Sequence, residues 1–161
     1  MKIAVASDHA AIEERQALAA HLRTAGHDVT DFGCAPGESA DYPDPAAAVA
    51  RAVAAGDAER GLLLCGTGIG ICMAAGKVNG IRAATIGDAF SAEMARRHND
   101  ANVACFGARI LSAAAIQRFA DTFLDTPFEG GRHQRRVDKI TALESAALET
   151  TAFEGGRPVP S

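Results

Sequence analysis

Cys65 and Thr67 stand inside Cys65-Gly66-Thr67-Gly68-Ile69-Gly70, a thiol and a hydroxyl interleaved with three alternating glycines. Before them, Gly61-Leu62-Leu63-Leu64 is an apolar run too short for a helix; after them, Ile69, Cys72, Met73 and Gly76 recur at helical spacing. The stretch therefore reads as strand, tight glycine turn and helix. Glycines let the backbone approach a ligand closely, and the first N–H groups of a helix are unpaired donors at the positive end of its dipole. The loop reads as an anion cradle with a thiol at its mouth, and Gly66, Gly68 and Gly70 are among the residues whose backbone would line it. Two readings of the thiol stay open. In one, Cys65 is a base or a nucleophile and Thr67 a hydroxyl that positions substrate. In the other, Cys65 is a small buried hydrophobe and Thr67 caps the helix.

Other polar groups fall at the ends of predicted strands, where open α/β sheets bind ligands. Asp8-His9 follows the first strand and Arg109 the fifth, while His98-Asn99-Asp100 ends the helix before that fifth strand. They are expected to converge with Cys65 on one edge. Arg132 and Arg136 are four apart near the start of the last predicted helix, so they point the same way. Two guanidinium forks suit a phosphate, although solvated surface charge is the commoner fate of arginines on a terminal helix.

The elements that must position these residues alternate along the chain. Residues 2–7 read as a strand and Ala10 to Ala25 as a helix closed by Gly26; residues 27–32 form a second strand, and Gly33 to Ser39 a turn-rich loop leading to Asp41-Tyr42-Pro43. Asp44-Pro45 opens an alanine-rich helix that Gly56 closes. After the Cys65 unit come a strand over Arg82 to Ile86, a helix capped by Asp88 or Ser91 and running to about Asn99, a strand over Asn102 to Phe106, and a helix from Ser112 to about Leu124. A last helix spans His133 to Leu148. Alternation of this kind gives a three-layer α/β/α sandwich around a Rossmann-like, five-stranded parallel sheet, with an added C-terminal helix. The expected organisation is one domain over 1–149 and a mobile tail over 150–161 that loses periodicity and ends in Gly, Pro and Ser. In that tail Phe153-Glu-Gly-Gly-Arg157 echoes Phe128-Glu-Gly-Gly-Arg132.

The chain has 161 residues, 48% of them apolar, and a net charge of −4 without a long basic block. Neither a nucleic-acid nor a membrane surface is indicated, and the expected partner is a small molecule. No run approaches transmembrane length and the N-terminal apolar stretch is short for a signal peptide, which points to the cytoplasm. Cys34, Cys65, Cys72 and Cys105 form no C-x-x-C pair and have no histidine at finger spacing, so free thiols are expected, and no metal site.

Seven short motifs occur in order: Ser7-Asp8-His9, Asp41-Tyr42-Pro43, Cys65 to Gly70, Gly80-Ile81-Arg82-Ala83, Arg97-His98-Asn99-Asp100-Ala101-Asn102, Phe106-Gly107-Ala108-Arg109, and Glu129-Gly130-Gly131-Arg132-His133-Gln134-Arg135-Arg136-Val137. Together they resemble ribose-5-phosphate isomerases of type B and the related galactose-6-phosphate isomerases over about Met1 to Glu149. The resemblance implies an aldose–ketose isomerase without cofactor or metal, acting on an open-chain sugar phosphate through a cis-enediolate. It implies that Cys65 moves a proton between the first two sugar carbons and that Thr67 and His98 assist ring opening. Asp8 and Asn99 would bind hydroxyls; His9, Arg109, Arg132 and Arg136 would bind phosphate; Tyr42 and the loop glycines would line the substrate. Ribose 5-phosphate is the expected substrate, with allose 6-phosphate, galactose 6-phosphate or a tetrose phosphate as alternatives. The resemblance further implies a homodimer, or a tetramer as the larger assembly, whose sites are shared between chains. Ile71 stands where some members carry a glutamate base, and Gly76 where asparagine is usual.

Three rivals differ in class. A dinucleotide site fails in detail, because the glycines run G-x-G-x-G, Ile71 occupies the third fingerprint position, and the motif follows the third strand, not the first. A thiol hydrolase with Cys65 as nucleophile and His98 as base lacks the arginine that a cysteine phosphatase loop places six residues on. A non-catalytic sugar-phosphate-binding protein would keep the arginines without needing Cys65.

Overall fold

The computed structural model describes residues 1–146. The tail expected over 150–161, and Ala147 and Leu148 of the last predicted helix, lie outside the described residues. Five parallel strands, β1 (Lys2–Ser7), β2 (Asp28–Asp31), β3 (Arg60–Cys65), β4 (Ala83–Thr85) and β5 (Val103–Gly107), form one sheet in the order β2-β1-β3-β5-β4. Six helices connect and follow them: α1 (Ile12–Thr24), α2 (Pro43–Ala55), α3 (Ile69–Ala75), α4 (Ala89–Arg97), α5 (Ala113–Asp125) and α6 (Gln134–Ala146). The expected α/β sandwich is the observed one.

Both faces of the sheet are buried, and the period of two along each strand divides the core. Ile3, Val5, Leu62, Leu64, Ala104 and Phe106 point to the side covered by α1, α4 and α5. Their alternates Ala4, Ala6, Leu63, Cys65, Val103 and Cys105 point to the side covered by α2 and α3. Cys65 thus faces the α2–α3 layer.

From β1 the chain moves outward to β2 and then returns past β1 to β3, so the direction of winding reverses between β1 and β3. At such a switch the connections leave on opposite faces and open a crevice at the carboxyl ends of the strands. Ser7 pairs with Leu64 across it, which sets Asp8-His9 beside the Cys65 loop.

Local chemistry explains the boundaries. Asp8 caps a 3-10 turn over His9–Ala11, its Oδ1 accepting from the Ala10 N–H at 2.9 Å, and α1 begins only after that turn. Gly56 ends α2 in the left-handed region at φ 81°. Of the two caps considered for α4, Asp88 is the N-cap, and Ser91 completes a reciprocal box with it. β4 is shorter than expected because it is an edge strand and the Arg82 N–H is taken by Asn102 Oδ1 at 2.8 Å. α6 starts one residue late: residues 131–133 form a 3-10 turn, so Arg132 precedes the helix while Arg136 lies in its first turn.

Candidate active site

At the carboxyl edge the backbone of the Cys65 loop is held by the strand next to it. Ala108 N–H donates to Cys65 O at 2.9 Å, and Arg109 N–H to Gly66 O at 3.0 Å. Gly68 adopts φ 76°, and a Cβ there would stand 2.9 Å from the Phe106 carbonyl carbon. A Cβ on Gly107 would come within 2.7 Å of the Thr67 backbone. These glycines permit two backbones to touch, which answers why the motif is glycine-rich. Gly66 and Gly70 serve side chains instead. The Arg109 side chain lies over Gly66, and the Tyr42 ring packs so closely on Gly70 that a Cβ would meet it at 2.8 Å.

Cys65 is 5% exposed, and its Sγ accepts a hydrogen bond from Gly68 N–H at 3.1 Å. Ile69 N–H is directed at Thr67 Oγ1 at 3.4 Å. Part of the expected anion cradle is therefore turned inward: the Gly68 amide orients the thiol. Buried Asp8 sits across the crevice, and His9 Nδ1 lies 3.1 Å from Ala40 O, which ties it to the loop that delivers Tyr42. Asp8, His9, Tyr42, Gly66 to Gly70 and Arg109 form one group.

His98 and Asn99 do not join it, which corrects the expected convergence on one edge. α4 runs antiparallel to the strands, so its C-terminus lies at their amino ends. There Asn102 N–H donates to Arg82 O and Gly61 N–H to Asn102 O, at the beginnings of β4 and β3. Val103 to Gly107 of β5 separates this turn from Arg109, roughly 13 Å of strand. Asp100 closes the turn with φ 44°, unusual for a non-glycine residue. Its carboxylate accepts from Arg82 Nη2 and Arg96 Nη1, each at 2.8 Å.

The segment after α5 gathers at the same amino edge. Glu129 N–H donates to Arg97 O at 3.0 Å, and its carboxylate pairs with Arg97 Nη2 at 3.1 Å. The His133 ring stacks on His98 with centroids 4.1 Å apart and planes 5° from parallel. Arg132 Nε donates to His133 Nε2 at 3.3 Å. His98, Asn99, Arg132 and Arg136 thus belong to a second group, and its members Glu129 and His133 were not singled out from sequence. The signal that marks them is spacing: Glu129 and His133 are four apart within the same glycine-rich motif as Arg132.

His98, Glu129 and His133 place three potential ligand atoms within 4.8 Å of one another. The donor set does not suit a metal ion. Stacked rings send their lone pairs side by side instead of toward one point, Arg132 occupies His133 Nε2, and Arg97 holds Glu129. Three guanidinium groups nearby favour an anion.

A switch crevice in a parallel sheet, holding an oriented thiol between an acid, a histidine and an arginine, defines an α/β protein built for a small polar substrate. Residues 3–140 match the family model described as Ribose/Galactose Isomerase. The chain is 44% identical over 143 residues to ribose-5-phosphate isomerase B of Escherichia coli (strain K12), covering 89% of this chain and 96% of that one. It is 43% identical over 145 residues to the D-erythrulose-4-phosphate isomerase of Pectobacterium atrosepticum, covering 89% and 95%. The structure of ribose-5-phosphate isomerase B from Clostridium thermocellum superimposes with a TM-score of 0.90 at 44% identity, over 91% of this chain and 99% of that chain. The chain belongs to the ribose/galactose isomerase family, and it is an isomerase. Among the described residues no helix is long and apolar enough to cross a membrane.

Proposed function

We propose that this isomerase interconverts an aldose phosphate and its ketose, with ribose 5-phosphate as the substrate, in a site completed by a second copy of the chain. The observation that carries the reading is the oriented thiol: Cys65 Sγ, fixed at 3.1 Å by the Gly68 amide, stands at the mouth of the switch crevice. As base, Cys65 takes the proton from the second sugar carbon, and the freed electron pair forms the double bond of a cis-enediolate with negative charge on the first oxygen. The proton then returns to the first carbon, and a proton passes from the second oxygen to the first. Backbone donors aimed at a developing oxyanion contribute about 3 kcal/mol each. Asp8 and Asn99 hold hydroxyls, Thr67 and His98 open the sugar ring, and His9, Arg109, Arg132 and Arg136 hold the phosphate.

These roles require both groups of residues at one substrate, and within one chain a strand length keeps them apart. A two-fold dimer removes the conflict, since each copy lends its amino-edge group to the other's crevice. Ile69 and Met73 on α3, Phe90 on α4, and Ile140 and Leu143 on α6 are exposed apolar residues suited to such a contact. One domain over 1–149 and a cytoplasmic location are parts of the same proposal, and the four free cysteines fit a reducing compartment.

The names of the relatives differ in the sugar they specify, so the test is a panel of aldose phosphates of four to six carbons incubated in deuterated water and followed by NMR. Ribose 5-phosphate should give ketose carrying deuterium at the first carbon at the highest rate. Faster turnover of a tetrose or hexose phosphate would reassign the substrate, and binding without exchange for every sugar would make the protein a sugar-phosphate receptor.

A further inference from the structure

His133 is 3% exposed although Arg132 and Arg136 on either side of it are exposed. Its Nε2 accepts from Arg132 Nε, so the ring is neutral and carries its proton on Nδ1. Burial, then the neighbouring His98 and Arg132, hold its pKa below the ordinary histidine value. With Nε2 occupied and the ring buried, His133 cannot itself exchange protons with a sugar. Its remaining feature is the stack: one full face lies against His98, the C-cap residue of α4. A half-buried imidazole at a helix end would otherwise be free to turn about its second side-chain torsion, which is broad.

We propose that His133 is a positioning residue that fixes the ring plane of His98 and ties it to Arg132. Arg132 spends its Nε on His133, which leaves both terminal nitrogens for a phosphate. One side chain then links the group that would grip the phosphate to the group that would open the ring. Glu129, anchored by Arg97 at 3.1 Å, braces the same segment. This inference rests on the isomerase reading above and assigns a role within it.

The test separates ring opening from enolisation in the full-length enzyme. Ribose 5-phosphate enters as a furanose. Ribulose 5-phosphate cannot close a five-membered ring, because its fifth oxygen carries the phosphate, so exchange of its first-carbon proton with deuterated water needs enolisation alone. At saturating substrate, His133→Ala should lower turnover of ribose 5-phosphate roughly 10- to 100-fold while the exchange on ribulose 5-phosphate stays within about twofold of wild type, with KM raised for both sugars because Arg132 loses its acceptor. His133→Phe should restore the stack and most of that turnover, with a raised KM because phenylalanine offers Arg132 no acceptor. Equal losses in both assays, or no loss in either, would overturn the proposal while wild-type activity stands. Wild-type protein inactive on both sugars would remove the isomerase reading and this inference with it.

Discussion

The carboxyl edge of the sheet holds its functional groups by backbone contact, whereas the amino edge holds its own by charge. Around Cys65, glycine carbons meet backbone and ring atoms with no room for a methyl group. Around His98, Arg82 and Arg96 clamp Asp100, and Arg97 bridges Glu93 and Glu129. A backbone-built crevice is rigid and intolerant of any added atom. A side-chain network instead presents long arms from a surface, as one subunit must if it is to reach into another. The difference is the one expected if, as proposed, the two edges serve different sites, each completed by a second copy of the chain.

The sharpest way to break this comparison is to kill each edge separately. Cys65→Ala should fold normally and lose about 10²- to 10⁴-fold in kcat with KM little changed, since a general base acts in the transition state. Arg136→Ala should be nearly inactive at low substrate. In the proposed dimer, the two variants unfolded and refolded together should pair as mixed dimers about half the time, with one of the two sites in each intact, so roughly a quarter of wild-type activity should return. A mixture that stays inactive would place both edges in one chain's site.

Smaller changes sharpen it. Arg132→Ala should raise KM for the phosphorylated sugar roughly 10- to 100-fold, the equivalent of a lost charged hydrogen bond of about 1.5–3 kcal/mol. The sugar without phosphate should be indifferent; equal effects on both would make Arg132 structural. Gly107→Ala should cost about 1–3 kcal/mol by overpacking against the Thr67 backbone, read as a lowered denaturation midpoint. Gly87→Ala, with no atom near its added carbon, should leave the midpoint unchanged.

A pH-dependent effect concerns Cys72, half-buried on α3 against the core of the α2–α3 layer. The Cys105 thiol hydrogen-bonds to it and outweighs the opposing effect of burial, bringing its pKa down to about 6. In the Cys65→Ala background, alkylation of Cys72 should reach half its maximal rate near pH 6. Because its ordinary value is 9.0, folding favours the thiolate; that stability is fully present above pH 9 and is lost as pH falls toward 6. Urea titrations of wild type and Cys72→Ala should therefore converge over that interval as pH falls. Parallel curves would show that Cys72 titrates as an ordinary thiol.

Much of this was legible because local rules act on local sequence. The alternating strands and helices, the Gly56 stop, the Asp88 cap and the strand–glycine–helix unit around Cys65 depend on residues within a turn or two of one another. Sequence also marked Cys65, Thr67, Asp8, His9 and Arg109 as strand-end residues, since the carboxyl end of a parallel strand follows from its place in the chain. What it could not give is which edge His98 and Asn99 occupy relative to them, or that His133 stacks on His98. Those facts depend on α4 running back along the sheet and on the segment after α5 folding over its end, contacts between residues about thirty apart whose order in the chain carries no direction in space. Only tertiary structure could show that His98, read from sequence beside Cys65, stands a strand's length away from it.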